Sequence, residues 1–323
     1  MRAALVASAL SLAAPIAAGE LTLTIPIDCI PGETCYIQNF VDRDPTEQVR
    51  DFQCGSLSYD GHKGTDFALP ALSDMQRGVN VLASAPGTVT AVRDGMPDIL
   101  FDPASAEGIR GKECGNGVLL RHPDGWETQY CHMKSGSVRV RSGDQVEAGT
   151  VLGQVGLSGK TTFPHVHLSV RRDGRRVDPF DPDGDADLAT CTPPERTLWR
   201  EAPDYVPGGL ISAGFAQDMP GYDAIKAGTA ARDRLPRTAP ALVLFGFAYG
   251  GRTGDEIDLQ ITGPDGPVLT QRVELNRNQG QFFRAAGKRL RSGRWASGAY
   301  HGTVRILRDG QELSRRMVQV TLE

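Results

Sequence analysis

The chain carries six histidines, and five of them fall between residues 62 and 167. Three stretches hold the ones that could act together: Gly61-His62-Lys63-Gly64-Thr65-Asp66-Phe67, Gln129-Tyr130-Cys131-His132-Met133, and Phe163-Pro164-His165-Val166-His167-Leu168-Ser169-Val170. His165-Val166-His167 heads an alternating run, so it reads as a strand, and side chains two apart on a strand leave by the same face. Two imidazoles ~7 Å apart along that face can serve one site, as two ligands or as a ligand and a base. His62 and Asp66 are expected on one side of a second extended segment. Three donors drawn from imidazole and carboxylate suit a catalytic zinc, which keeps its fourth position for water. His132 is expected on the strand face of Tyr130, in the same sheet. His122 precedes Pro123 in a turn and is expected in solvent, and His301 stands alone far along the chain; neither receives a role. A His-x-His or His-x-x-x-Asp by itself is common on ordinary strands. Their concentration in so histidine-poor a chain singles them out.

The elements around these stretches read as strands. Val81–Ser84, Gly87–Val92, Val118–Arg121, Trp126–His132 and Val138–Arg141 are β-like, with Asp124-Gly125 as the tip of a hairpin. No 3.6-residue periodicity of any length interrupts them. Met96–Lys112 is polar and turn-rich, an insertion between strands. Asp181–Asp187 is acidic and irregular, and Pro193-Pro194 marks a boundary. Beyond it Ala241–Tyr249, Glu256–Ile261, Val268–Val273, Gly302–Leu307 and Met317–Leu322 read as strands of a small antiparallel β-sandwich. The expected class is all-β: residues 20–196 as an antiparallel β-sheet domain bearing the histidines, and residues 197–323 as a β-sandwich accessory domain.

All six cysteines precede residue 192. Six cysteines allow 15 pairings, among which the sequence alone does not choose; Cys29 and Cys35 flank a Pro-Gly turn and Cys114 and Cys131 flank the hairpin, which favours those two bridges and leaves Cys54–Cys191 by elimination. None forms a Cys-x-x-Cys pair, and an even count in an exported chain favours bridges over metal ligands. Export is indicated by the first 19 residues: Met1-Arg2, the apolar run Ala3–Ala14, and Ala17-Ala18-Gly19 as a cleavage site read as a secretory signal peptide. No later run is long enough to span a membrane. The expected localisation is periplasmic or secreted.

The chain has 323 residues, 40% apolar and 23% charged, enough for two globular units. Residues 1–198 hold 18 Lys+Arg against 26 Asp+Glu, net −8, and residues 199–323 hold 17 against 13, net +4, which sum to the whole chain's −4. No basic cluster interleaved with aromatics appears, so no nucleic-acid partner is indicated. Composition leaves the oligomeric state open.

The three histidine stretches resemble the signature of the lysostaphin/LytM-type zinc endopeptidases, which cleave peptide bonds in peptidoglycan. The likeness runs from Gly61 to Phe180. His62 and Asp66 match the family's first motif, whose His and Asp bind zinc, and His167 matches the later His of the second. The resemblance therefore implies zinc held by His62, Asp66 and His167, with His132 and His165 as the catalytic pair. It implies hydrolysis of cross-links between stem peptides, with wall peptide as substrate and other cell-wall proteins as further partners. The Met96–Lys112 insertion, and Cys131 and Met133 beside His132, depart from the family pattern. An inactive relative that activates another wall hydrolase is the alternative, although such proteins usually lack the ligands present here. A lipoyl-type carrier would need a lysine at the hairpin tip, where Pro123-Asp124-Gly125 stands.

Overall fold

The computed structural model describes residues 20–184 and 190–323. The expected signal peptide, residues 1–19, and residues 185–189, which include the end of the acidic stretch, lie outside the described residues. The first half contributes β1 (Tyr36–Asn39), β2 (Thr65–Ala68), β3 (Asn80–Leu82), β4 (Gly87–Arg93), β5 (Asn116–Arg121), β6 (Trp126–Met133), β7 (Gln145–Val146), β8 (Val151–Gln154), β9 (His165–Arg172) and β10 (Arg175–Val177). The second contributes β11 (Gly209–Ala216), β12 (Arg234–Leu235), β13 (Ala241–Gly251), β14 (Glu256–Gly263), β15 (Gly266–Glu274), β16 (Gln279–Arg289), β17 (Gly298–Arg308) and β18 (Gln311–Leu322). The fold is all-β, with two six-residue helices, Leu72–Arg77 and Tyr222–Ala227, and a 3₁₀ stretch at Pro103–Ile109 inside the expected insertion.

An antiparallel sheet in the order β1-β2-β9-β6-β5-β4-β7, with β10 paired to β9, carries the histidine stretches. Its hairpin β5–β6 turns through Asp124 and Gly125, at φ 57° and 75°, the positive angles that favour Asp-Gly at a tight turn. Val138–Arg141, expected as a strand, joins no ladder. It is tied by Arg139 N–H to Leu152 O at 2.9 Å, with turns on either side.

The second half packs the sheet β11-β13-β16 against the sheet β12-β18-β17-β14-β15. Strand β13 explains how the halves meet. Leu242, Leu244 and Ala248 enter the core between these two sheets, whereas Phe245, Phe247 and Tyr249 join the core that also holds Phe67, Tyr130 and Leu168 of the first half. A strand buried on both faces reads as an unbroken apolar run, as Ala241–Tyr249 does. Tyr36 and Tyr249 have ring centroids 4.5 Å apart, and Gln281 Nε2 donates to Tyr36 Oη and Gln38 Oε1, both at 3.0 Å. Past Pro193-Pro194 the chain first returns to the first half: Leu198 and Trp199 are buried there, and Leu23 N–H donates to Leu198 O at 2.7 Å.

Candidate metal centre and active site

Strands β2 and β9 pair in a register that sets Asp66 opposite His167 and Ala68 opposite His165. Thr65, Phe67, Val166 and Leu168 point into the core, so Asp66, His165 and His167 share the other face. His62 arrives from the preceding loop. Its Nδ1 lies 2.6 Å from Phe40 O, and Arg176 Nη1 donates to His62 O at 3.2 Å. Gly64 permits the approach. A Cβ there would lie 2.6 Å from His167 Nε2 and 2.4 Å from Leu168 O.

Three donor atoms converge: His62 Nε2 and Asp66 Oδ1 are 3.2 Å apart, His62 Nε2 and His167 Nδ1 3.2 Å, and His167 Nδ1 and Asp66 Oδ1 2.8 Å. Tautomers follow from the outer partners. His62 donates Nδ1–H to Phe40 O, and His167 donates Nε2–H to Ser169 Oγ at 3.0 Å, which leaves a lone pair on the inward nitrogen of each ring. Two lone pairs and a carboxylate oxygen facing one another repel unless a cation sits among them. Ligands 2.0–2.1 Å from a tetrahedral zinc would be separated by ~3.3 Å, so the triangle already has nearly the required size.

Electrostatics agree at Asp66 and His167. Burial opposes ionisation of Asp66, but His62, His165 and His167 outweigh it and hold the carboxyl well below its ordinary range. Burial likewise opposes charge on His62, yet Asp66 and the bond to Phe40 O leave its pKa raised. His167 is lowered, first by burial. Its neutral form is the one that can ligate.

His165 and His132 sit beside this triangle. His165 Nδ1 is 2.9 Å from Phe163 O and 3.1 Å from Thr161 Oγ1, its ring stacks on Phe163 at 4.3 Å, and its Nε2 lies 3.4 Å from Asp66 Oδ1. The His132 and His165 ring centroids are 4.7 Å apart. His132 Nδ1 donates to Ser158 O at 2.8 Å, which leaves the Nε2 lone pair available. Burial, then the neighbouring His165 and His167, keep its pKa well below the usual histidine value.

His132 does not share the face of Tyr130. Tyr130 is fully buried and its Oη accepts from Ser84 N–H at 2.7 Å in the core, whereas His132 borders the cleft with Gln129 and Cys131. The reason is a left-handed backbone at His132, φ 61°, which breaks the alternation of β6. Nor does His122 lie in solvent. It is buried, with Nδ1 2.6 Å from Pro86 O and Nε2 2.8 Å from Thr128 Oγ1, because the residues before its turn fold back against the sheet. His301 is exposed on β17, far along the chain from the cleft residues.

Several further residues complete the surroundings of the site. Asn39 Nδ2 donates to Asp66 Oδ2 at 2.8 Å from the edge strand β1, with no signal in the sequence. Ser169 continues the two-residue spacing of His165 and His167 and was legible from it. The Tyr59 ring packs against His62, tilted by 37°, with centroids 4.4 Å apart. The six cysteines form Cys29–Cys35, Cys54–Cys191 and Cys114–Cys131, the pairs expected.

Residues 60–179 match Peptidase family M23. The chain is 34% identical over 118 residues to the DD-carboxypeptidase/endopeptidase Mpg of Neisseria meningitidis, covering 36% of this chain and 22% of that protein. It is 29% identical over 116 residues to the peptidoglycan DD-endopeptidase ShyA of Vibrio cholerae, covering 36% of this chain and 21% of that protein. The chain thus spans well under a third of the length of either relative. Among solved structures, a mutant catalytic domain of the prophage-encoded M23 protein EnpA from Enterococcus faecalis superposes with a TM-score of 0.34 at 24% identity, covering 50% of this chain and 95% of that one.

Proposed function

We propose, from the match of residues 60–179 to Peptidase family M23 and from the geometry above, that the protein is an exported zinc endopeptidase of the lysostaphin/LytM type that cleaves peptide cross-links in peptidoglycan. The observation that carries this reading is the convergence of His62 Nε2, Asp66 Oδ1 and His167 Nδ1 on one point. These three residues would hold the metal. When bound, zinc supplies Lewis-acid chemistry that makes water nucleophilic near neutral pH and polarises a carbonyl.

The chain's own residues do the rest. His165 Nε2, with its ring fixed through Nδ1, accepts the proton of the attacking water. His132, 4.7 Å away ring to ring, accepts through its Nε2 lone pair a hydrogen bond from the O–H that the attacking oxygen keeps, and His165 returns the proton it has taken to the amine nitrogen as the C–N bond breaks. Burial keeps both rings out of bulk water, where such hydrogen bonds count for more.

The cleft walls favour an acidic peptide. Lys63, Lys160, Arg171 and Arg176 border it against Glu113 and against Glu127, which pairs with Arg171 at 3.3 Å, in a half of the chain whose net charge is −8. A cationic cleft on an anionic body concentrates anionic ligands. Stem peptides bearing free carboxylates meet that requirement. Export is supported by the three bridges and the absence of a free cysteine, which belong to an oxidising compartment. Among the described residues, no helix is long and apolar enough to cross a membrane. Digestion of purified sacculi, with released fragments identified by mass, tests the reading. The expected result is cleaved cross-links that disappear with His62→Ala. Intact sacculi, with a second wall hydrolase stimulated instead, would replace it with the regulator reading.

A further inference from the structure

The Cys114–Cys131 bridge borders the cleft beside the one site residue whose backbone leaves the strand. In the β6–β9 ladder, Glu127, Gln129 and Cys131 lie opposite Arg171, Ser169 and His167. Alternation would send His132 after Thr128 and Tyr130 into the core. Its φ of 61° turns it into the cleft instead. That region is uncommon for a residue with a Cβ and persists only where surrounding contacts impose it.

One such contact comes from the segment after β8, where Gly156 N–H donates to His132 O at 3.0 Å; the two that fix its N–H and its ring adjoin the bridge. His132 N–H donates to Cys114 O at 2.8 Å, and its ring Nδ1–H donates to Ser158 O at 2.8 Å. Ser158 is itself held by the segment that follows Cys114: Asn116 N–H donates to Ser158 Oγ at 2.9 Å, and Gly115, at φ 65°, packs so closely that a Cβ would lie 2.4 Å from Ser158 O. The sulfur link thus joins the residue just before His132 to the residue whose carbonyl receives its N–H. Both acceptors that define the orientation of His132 sit on segments this link ties down.

We propose that the Cys114–Cys131 disulfide is a positioning element for His132: it holds the left-handed backbone that turns Nε2 into the cleft. This rests on the role given to His132 above. The bridge acts through His132 and touches neither the metal ligands' donor atoms nor the reacting groups. A bridge serving stability alone would resemble Cys29–Cys35, which is remote from the cleft lining.

The test is a cycle of variants in the full chain. Cys114→Ala/Cys131→Ala should keep its zinc and its KM for a peptide the wild type cleaves, while kcat falls toward the His132→Ala value. In a His132→Ala background the same pair should lower kcat no further, because both changes remove one function. Cys29→Ala/Cys35→Ala should leave kcat unchanged. An arm independent of turnover follows the His132 ring N–H by ¹⁵N NMR. Its slow exchange should be lost only when Cys114 and Cys131 are replaced. Losses that add to His132→Ala, an unchanged kcat, or a ring N–H that stays protected would each overturn the proposal. If the alanine pair does not fold, Cys114→Val/Cys131→Val refills the space, and failure of both assigns the bridge to stability and ends the idea. Should wild type cleave no peptide, the proposed activity fails while the NMR arm still decides the role of the bridge.

Discussion

Asp66 and His167 face each other directly across the β2–β9 ladder, with Oδ1 2.8 Å from Nδ1. The sheet register makes this contact, since a one-residue slip would move one of the two into the core.

Metal content follows from that register. His62→Ala, Asp66→Ala and His167→Ala should each lose stoichiometric zinc, measured by elemental analysis of protein purified with the metal present. His165→Ala should retain it. The reverse outcome for His165 and His167 would exchange their roles, which their shared strand face permits.

Turnover should separate from metal at the other two histidines. His132→Ala and His165→Ala are expected to keep near-normal zinc and to lose ~10²–10⁴ in rate, the range for removing one general acid or base. Wild-type turnover by His132→Ala would reduce that residue to a packed strand histidine.

The bridges should leave nothing to titrate. Unfolded, unreduced protein is expected to show no free thiol with Ellman's reagent. Cys54–Cys191 spans 137 residues, and its removal should cost ~2–5 kcal/mol in denaturant unfolding.

The two halves should unfold together. A chain ending at Arg196 loses Leu198 and Trp199 from the first core, as well as the Phe245, Phe247 and Tyr249 side chains that complete it. The shortened chain is expected to be poorly soluble or to melt well below the full chain. Tyr249→Ala alone should cost ~3–5 kcal/mol, as other buried aromatic truncations do. A shortened chain as stable as the full one would show that the shared core contributes little.

Asp178 gives stability a pH dependence. Burial pushes its carboxyl up to about 7, against the pull of nearby Arg43, whose guanidinium is engaged mainly by Asp181. A carboxyl whose folded pKa is raised binds its proton more tightly in the folded chain. Its contribution therefore favours the fold at low pH and weakens as pH rises from 3.8 toward 7. Asp178→Asn should melt higher than wild type at pH 8, with a smaller advantage at pH 5. Equal melting temperatures at pH 8 would show that Asp178 is no liability.

Much of the site was legible in the sequence because it rests on local periods. His165, His167 and Ser169 share a face by the two-residue repeat of any strand, Asp124-Gly125 announces its turn, and Cys29 and Cys35 lie close enough in the chain to pair across a Pro-Gly turn. The tertiary structure decided what depends on distant partners. His132 reaches the cleft because Cys114 O and Ser158 O impose a backbone that alternation alone would not allow. Asn39 reaches Asp66 from an edge strand 27 residues earlier. Strand β13 read as part of a separate sandwich, but it buries one face in each core. Periodicity shows that a run is apolar on both sides. What covers each side is settled only when the sheets pack.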